Sequence, residues 1–304
     1  MRHKKLYIIL SVLLGLILLD EVRWSYEQIR FYIKISEFQL QWIVQKSMLL
    51  VGLVALALFI SSKFRNTALL RFYCCYVILA FPLSLLFYKM IFSRAEFDSY
   101  ITFNFWSWLG VSIELVLTGC CCVLLWFLTK ERVPRLKYTL LGNESFAEFS
   151  PASRWKRFLH YMVDTAFMMY FCFEWVKTLM LWPGSHRKEL AGLAEHAWLF
   201  AFTVFLCYYF VFEVLFKTTA GKCLSSTVLA NEQGKRPSFG ELLGRTFCRL
   251  IPFDPLSFFA RSRRGWHDTI SDTYVTDSVR EDEQQPEEPE AGDLLSAYEA
   301  GLQT

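Results

Sequence analysis

Arg157 and Asp164 stand seven residues apart in the stretch Arg154-Trp155-Lys156-Arg157-Phe158-Leu159-His160-Tyr161-Met162-Val163-Asp164, which opens an apolar run reaching Trp182. On a helix this spacing puts both side chains on one face about 10 Å apart, the arginine at a membrane edge and the carboxylate inside the apolar part. An ionised Asp in hydrocarbon is costly, so such residues face a protein interior or a water-filled path. Asp164 then has two readings. It is a proton- or cation-binding carboxylate, aided by His160 one turn away on the same face. Alternatively it is a structural counter-ion that ties its span to a basic group such as Arg245 or Arg249. Arg157 alone reads as a headgroup anchor at the membrane edge.

Three further carboxylates fall in apolar runs. Glu114 lies about ten residues into one, near Gly110, Ser112, Thr118 and Gly119, small residues that allow close helix approach. Glu174 falls near Lys177, and Glu213 sits near the end of its run, where a snorkelling side chain is expected. Thr219-Ala220-Gly221-Lys222-Cys223 has the end of a phosphate-binding loop without its beginning. The glycine needed five residues before Gly221 is Phe216, and Cys223 replaces the Ser or Thr after the lysine. No G-x-S-x-G or H-E-x-x-H occurs, and the five histidines are scattered. The expectation is a non-enzyme without metal or cofactor. The nine cysteines have no metal spacing and read as small apolar packing residues.

The elements that must position these groups are membrane spans. With 54% hydrophobic residues, 17% aromatic residues and a mean hydropathy of +0.29, the chain is polytopic rather than a soluble globule. Leu6 to Leu19 follows a basic start but is succeeded by Asp20-Glu21-Val22-Arg23-Trp24, unsuited to signal cleavage, so it is a retained first span. Ile29 to Val44 mixes charges with apolar residues at helical spacing and reads as an amphipathic segment on the outer face. Further spans are expected over Ser47–Ile60, Thr67–Phe92 with a kink at Pro82, Phe105–Leu128, Phe158–Trp182 and Ala197–Phe216. Thr129 to Ser153 is polar and forms a linker.

Beyond the last span the pattern changes. Leu224 to Ala230 is β-prone, Asn231-Glu232-Gln233-Gly234 makes a turn, and Ser238-Phe239-Gly240-Glu241 is a capping box opening a helix to about Ile251. Phe253 to Ala260 is partly apolar and suits the membrane interface, and Thr273-Tyr274-Val275 can pair with the earlier strand. Glu281 to Asp293 holds seven acidic residues and no basic one, a disordered tail, which leaves the rest of the chain basic despite a net charge of +3. That basic charge belongs at a membrane surface rather than on nucleic acid. With six spans, most of the 32 Lys and Arg residues fall on the cytosolic side when both termini are cytosolic.

From about Arg154 to Asp277 the sequence resembles the RDD family of membrane proteins, named for one arginine and two aspartates. Arg157 and Asp164 match the first pair. Thr219-Ala220-Gly221-Lys222 looks like the family's T-x-G-K after its second span, with Lys217 where a glycine usually begins the motif. Gly234-Lys235-Arg236-Pro237-Ser238-Phe239 resembles the next turn and helix start, with Arg245 and Arg249 as the helix arginines. Arg264-Gly265-Trp266-His267-Asp268 is similar to the closing R-G-x-x-D, with Asp268 as the second aspartate, and His160 stands where the family often has a small residue. The recurrence of these residues in one motif favours a charged cluster of Arg157, Asp164 and Asp268. The resemblance implies transport of some ligand as the commonly suggested role.

The expected fold is therefore an all-α polytopic membrane protein with six transmembrane helices, four plus two, and a small cytosolic strand-turn-helix appendage. Its parts are a four-span region at 1–128, a linker at 129–153, an RDD-like domain at 154–277 and an acidic tail at 278–304. The expected function is transport of an ion or small ligand through a site centred on Asp164, and the alternative is a non-catalytic scaffold that recruits a partner. Expected partners are the lipid bilayer, an ion or small-molecule ligand, and a second copy or other membrane protein. The expected location is a bacterial cytoplasmic (inner) membrane.

Overall fold

The computed structural model describes residues 3–32, 40–92, 100–141, 144–149, 151–180, 196–231, 233–251, 257 and 265–281. The helices are α1 (Lys4–Tyr32), α2 (Leu40–Ser61), α3 (Ala68–Phe92), α4 (Tyr100–Lys130), α5 (Arg154–Met180), α6 (Ala197–Phe216), the short α7 (Ala220–Leu224), α8 (Phe239–Cys248) and the short α9 (Trp266–Ile270). The strands are β1 (Arg132–Pro134), β2 (Leu136–Leu141), β3 (Glu144–Phe149), β4 (Thr227–Asn231) and β5 (Thr273–Arg280). Among the described residues, four helices are long and apolar enough to cross a membrane, over Val44–Ser61, Ala68–Leu85, Leu109–Lys130 and Trp198–Phe216. Their outward surface is apolar, with Leu50, Leu58 and Ile60 on α2 and Leu115 and Trp126 on α4 exposed. This is what a helix facing lipid requires. The expected tail boundary is corrected, since Ser278 to Arg280 belong to β5. The tail beyond Glu281, the stretches 93–99 and 181–195 expected between spans, most of Phe253 to Ala260 and the middle of the expected amphipathic segment lie outside the described residues.

The chain divides into two units, Met1–Leu128 with Met162–Tyr208 and Thr219–Leu224, and Thr129–Tyr161 with Tyr209–Thr218 and Ser225–Thr304. In the first, helices pack through aromatic side chains. Phe72 of α3 meets Phe167 of α5 at 5.5 Å between ring centroids, and Tyr76, one turn on, meets Phe171 at 5.8 Å. A Cβ added to Gly52 of α2 would lie 2.7 Å from the Tyr73 ring, so glycine permits the α2–α3 approach. Gly119, expected to serve close packing on α4, has open space where a Cβ would stand. Pro82 lies within α3, which is assigned as helix from Ala68 to Phe92.

The second unit corrects the all-α expectation, because strands organise it. β4 and β5 pair antiparallel with Leu229 opposite Val275, the pairing expected from Thr273-Tyr274-Val275, and β1 adds to the other edge of β5 to give the order β1-β5-β4. The polar linker is thus partly strand. It also holds an antiparallel hairpin, with Leu136 opposite Phe149 and Leu141 opposite Glu144. Gly142-Asn143 between the paired ends is a two-residue hairpin signal, and in β2 the apolar Leu136, Tyr138 and Leu140 alternate with Lys137 and Thr139. The turn after β4 is closed by Asn231, whose side chain accepts from the Gln233 and Lys235 amides, and Gly234 supplies the left-handed φ of 69°. Ser238 and Glu241 form the capping box that starts α8, which ends at Cys248, shorter than expected. Ala152, Leu229, Leu242 and Val275 make the small apolar core, with Val214 against it.

Candidate functional site

Asp164 is buried in the first unit and its carboxylate is saturated by donors. Oδ1 accepts from the Tyr208 hydroxyl at 2.8 Å and from the Gly221 backbone N–H at 2.8 Å, and Oδ2 accepts from the Thr219 hydroxyl at 2.7 Å. The Tyr208 hydroxyl also accepts from the Ala220 amide at 2.9 Å, so the turn that begins α7 is laced to α6 and to α5 by the same few groups. Thr219 and Gly221 come from the T-x-G-K stretch, and the geometry gives both a use. Gly221 serves through its backbone amide, which faces the carboxylate. Lys222 is also buried, and its charge acts on Asp164. Asp164 forms none of the ion pairs found among the described residues. The turn is reached through Lys217, whose φ of 56° is in the left-handed region. A non-glycine residue there is strained, which gives a physical reason for the glycine that the resembling motif has at this position.

Arg71 of α3 braces the same turn from the N-terminal helices. It is fully buried and donates from Nη2 to the Cys223 carbonyl at 3.3 Å, and one helical turn later the Cys75 Sγ lies 3.9 Å from the Cys223 Sγ. Cations near the last carbonyls of a helix complement its dipole.

The second unit holds a different arrangement. Arg157, at the start of α5, donates from Nη1 to Asp268 Oδ2 at 2.7 Å and from Nη2 to the Val275 carbonyl at 3.3 Å. Arg245 of α8 donates from Nη1 to Asp268 Oδ1 and to the Thr273 hydroxyl, and its Nε lies 3.4 Å from Glu213 Oε2. Arg249 closes the chain on Glu213 Oε1 at 2.7 Å and stacks over the Tyr209 ring at 3.7 Å. Burial alone would raise the pKa of Asp268. The charges of Arg245, His267 and Arg157 and the hydrogen bond from Arg245 outweigh it and hold the carboxyl well below the usual carboxylate range.

The expected cluster of Arg157, Asp164 and Asp268 is thus met in one of its contacts. Arg157 and Asp268 form an ion pair, whereas Asp164 takes its hydrogen bonds from Tyr208, Thr219 and Gly221. Arg245 and Arg249, offered as counter-ions to Asp164, serve Asp268 and Glu213. Glu213 does not snorkel; it is fully buried between two arginines. His160, expected to aid Asp164, instead bonds the Ser225 and Thr227 hydroxyls, the latter at 3.1 Å, where the chain turns into β4. Glu114 on α4 is half-buried, and Glu174 is buried on α5. Tyr208, Thr273 and Arg71 were not singled out from sequence. The first two carry no motif signal, and Arg71 showed only as one basic residue near the start of an apolar run.

Residues 151–272 match the family named for its arginine and two aspartates, and the hydrogen-bonded partners of all three residues fall within or just beyond that range. The family model they match is that of the RDD family, and it covers these residues alone. The matched region takes in α5 to α9 and β4, while α1 to α4 precede it, of which α2 to α4 carry apolar windows long enough to cross a membrane. No curated protein and no solved structure matches the chain. Within the RDD domain the arginine and the second aspartate are one ion pair, and the first aspartate is a separate, hydroxyl-lined site.

Proposed function

We propose that the chain is a six-span, non-enzymatic membrane protein of the RDD type that passes a proton or small cation by way of Asp164. The observation that carries this reading is the difference in partners among three buried carboxylates of the RDD domain. Glu213 and Asp268 are held by arginines, while Asp164 is held by two hydroxyls and a backbone amide. A guanidinium can only donate and keeps its charge. A hydroxyl can exchange donor and acceptor roles, so Tyr208 and Thr219 can follow a change of charge on Asp164. Six spans are supported by α1 and α5, long enough at 29 and 27 residues to cross a bilayer and with exposed Ile9, Val12, Leu16 and Leu19 on α1 and Met169 and Phe173 on α5. The Lys and Arg distribution supports cytosolic termini, and the location that goes with it is a bacterial cytoplasmic membrane.

The test is proton and monovalent-cation flux into liposomes containing wild type or Asp164→Asn. Flux that is present in the wild type and lost in a folded variant supports the reading. Flux that is absent in both overturns it. One observation favours a second reading, a non-catalytic scaffold that recruits a second copy or another membrane protein: both Asp164 oxygens are already satisfied by protein donors, as a structural pin requires. That reading predicts no flux and a loss of folded protein in Asp164→Asn.

A further inference from the structure

We propose that α8 is a lipid-facing helix whose apolar stripe, Phe239, Leu243 and Phe247, lies in the membrane interface. These residues are 62%, 37% and 58% exposed, and at 100° per residue they fall within an arc of about 80°. The neighbouring arc is the one turned inward, and it carries Leu242, Arg245 and Thr246, all buried. The helix thus hides its charge and shows its apolar residues. On a water-facing surface that arrangement leaves a contiguous apolar patch that no described residue covers.

Two observations identify the occupant as lipid. The stripe is continuous with the outer surface of a span: Phe239 meets Phe210 of α6 edge to face at 5.5 Å, and Val211 and Leu215 beside it are exposed on the same stretch of α6, within the apolar window Trp198–Phe216. Lys235 and Arg236, both exposed, directly precede the helix and are placed to meet phosphate headgroups. The ion pairs of Arg245 and Arg249 with Glu213 of α6 then act as the inward-facing polar side of an interfacial helix. The arc of Gly240, Glu241 and Gly244, with open space around both glycines, is the side left for water. This inference needs a bilayer around α6 and is independent of what Asp164 does.

The experiment uses the full-length protein in lipid nanodiscs, one copy per disc. Photoreactive benzoylphenylalanine is placed singly at Leu243, at Phe247 and, on the exposed turn, at Gln233. After irradiation, mass spectrometry should find several-fold more lipid adduct at positions 243 and 247 than at 233. Adduct yields at 243 and 247 no higher than at 233 would overturn the proposal. So would adducts to another protein chain in place of lipid when two copies share a disc.

Discussion

Asp164 and Asp268 are both buried aspartates of one RDD domain, yet they are stabilised by opposite means. Asp268 loses water and gains two guanidiniums, so its charge is fixed and its removal would strand Arg157 and Arg245. Asp164 loses water and is bonded by dipoles, two hydroxyls and one amide, with the charge of the buried Lys222 also acting on it. The comparison teaches that a charged motif read as one cluster can contain two carboxylates held in different ways, separated by the kind of donor that satisfies each.

The sharpest way to break the comparison is to attack the arginine lock on Asp268. Arg245→Gln removes the group that touches Asp268, Glu213 and Thr273 at once, and should cost on the order of 4 kcal/mol, read as loss of folded protein or a lowered melting temperature in detergent. Arg157→Gln should cost nearly as much and should be less than additive with it, because both act on the same carboxylate. A cost below about 1 kcal/mol for either would mean the lock is not one.

The lock also has a pH signature. The folded pKa of Asp268 is depressed, so the stability it contributes is present above its unfolded value of about 3.9 and is lost as pH falls through the folded value. Lowering the pH from about 8 to about 5 should therefore leave that contribution unchanged, with its loss confined to more acid solution. Melting temperatures of wild type and Asp268→Asn measured across this range should run parallel. Curves that converge between those two pH values would show that Asp268 is not held by its arginines.

A smaller effect is expected at the other carboxylate. Thr219→Val keeps shape but removes the hydroxyl that serves Asp164 Oδ2, and should cost about 1–2 kcal/mol in thermal stability. The smallest effect has the opposite sign. Lys217→Gly should stabilise the fold by about 0.5–1 kcal/mol, since the chain there already has the φ of 56° that glycine adopts without strain. A destabilised Lys217→Gly would show that the lysine side chain contributes more than its backbone strain costs.

Much of this arrangement was legible in the residues, and the rest had physical reasons to stay hidden. The capping box at Ser238, the turn at Asn231 and the pairing of β4 with β5 follow from local rules that tertiary context did not override. The hairpin of β2 and β3 was missed because charged and polar residues outweighed the Gly142-Asn143 turn signal in a stretch read as linker. Four apolar windows were legible by hydropathy, while α1, flanked by Lys4, Lys5, Asp20, Glu21 and Arg23, and α5, with Asp164 and Glu174 inside its run, fall outside those windows. Asp164 and Thr219 could be named, but their meeting with Tyr208 depends on helix packing that no spacing in the sequence encodes. Glu213 misled for a related reason: near a helix end a carboxylate usually reaches for water, and here two arginines from α8 reach it first.

The account rests on Asp164 being a site and Asp268 a lock, and the most direct measurement is the thermal stability of Asp164→Asn beside that of Asp268→Asn in the full-length protein. In Asp164→Asn the amide oxygen can still accept from Tyr208 and Gly221, and the new NH2 can donate to the Thr219 hydroxyl, so a loss of about 1 kcal/mol is expected. Asp268→Asn strands two buried guanidiniums and should lose about 3–5 kcal/mol. Equal losses in the two variants, or the larger loss in Asp164→Asn, would contradict the account.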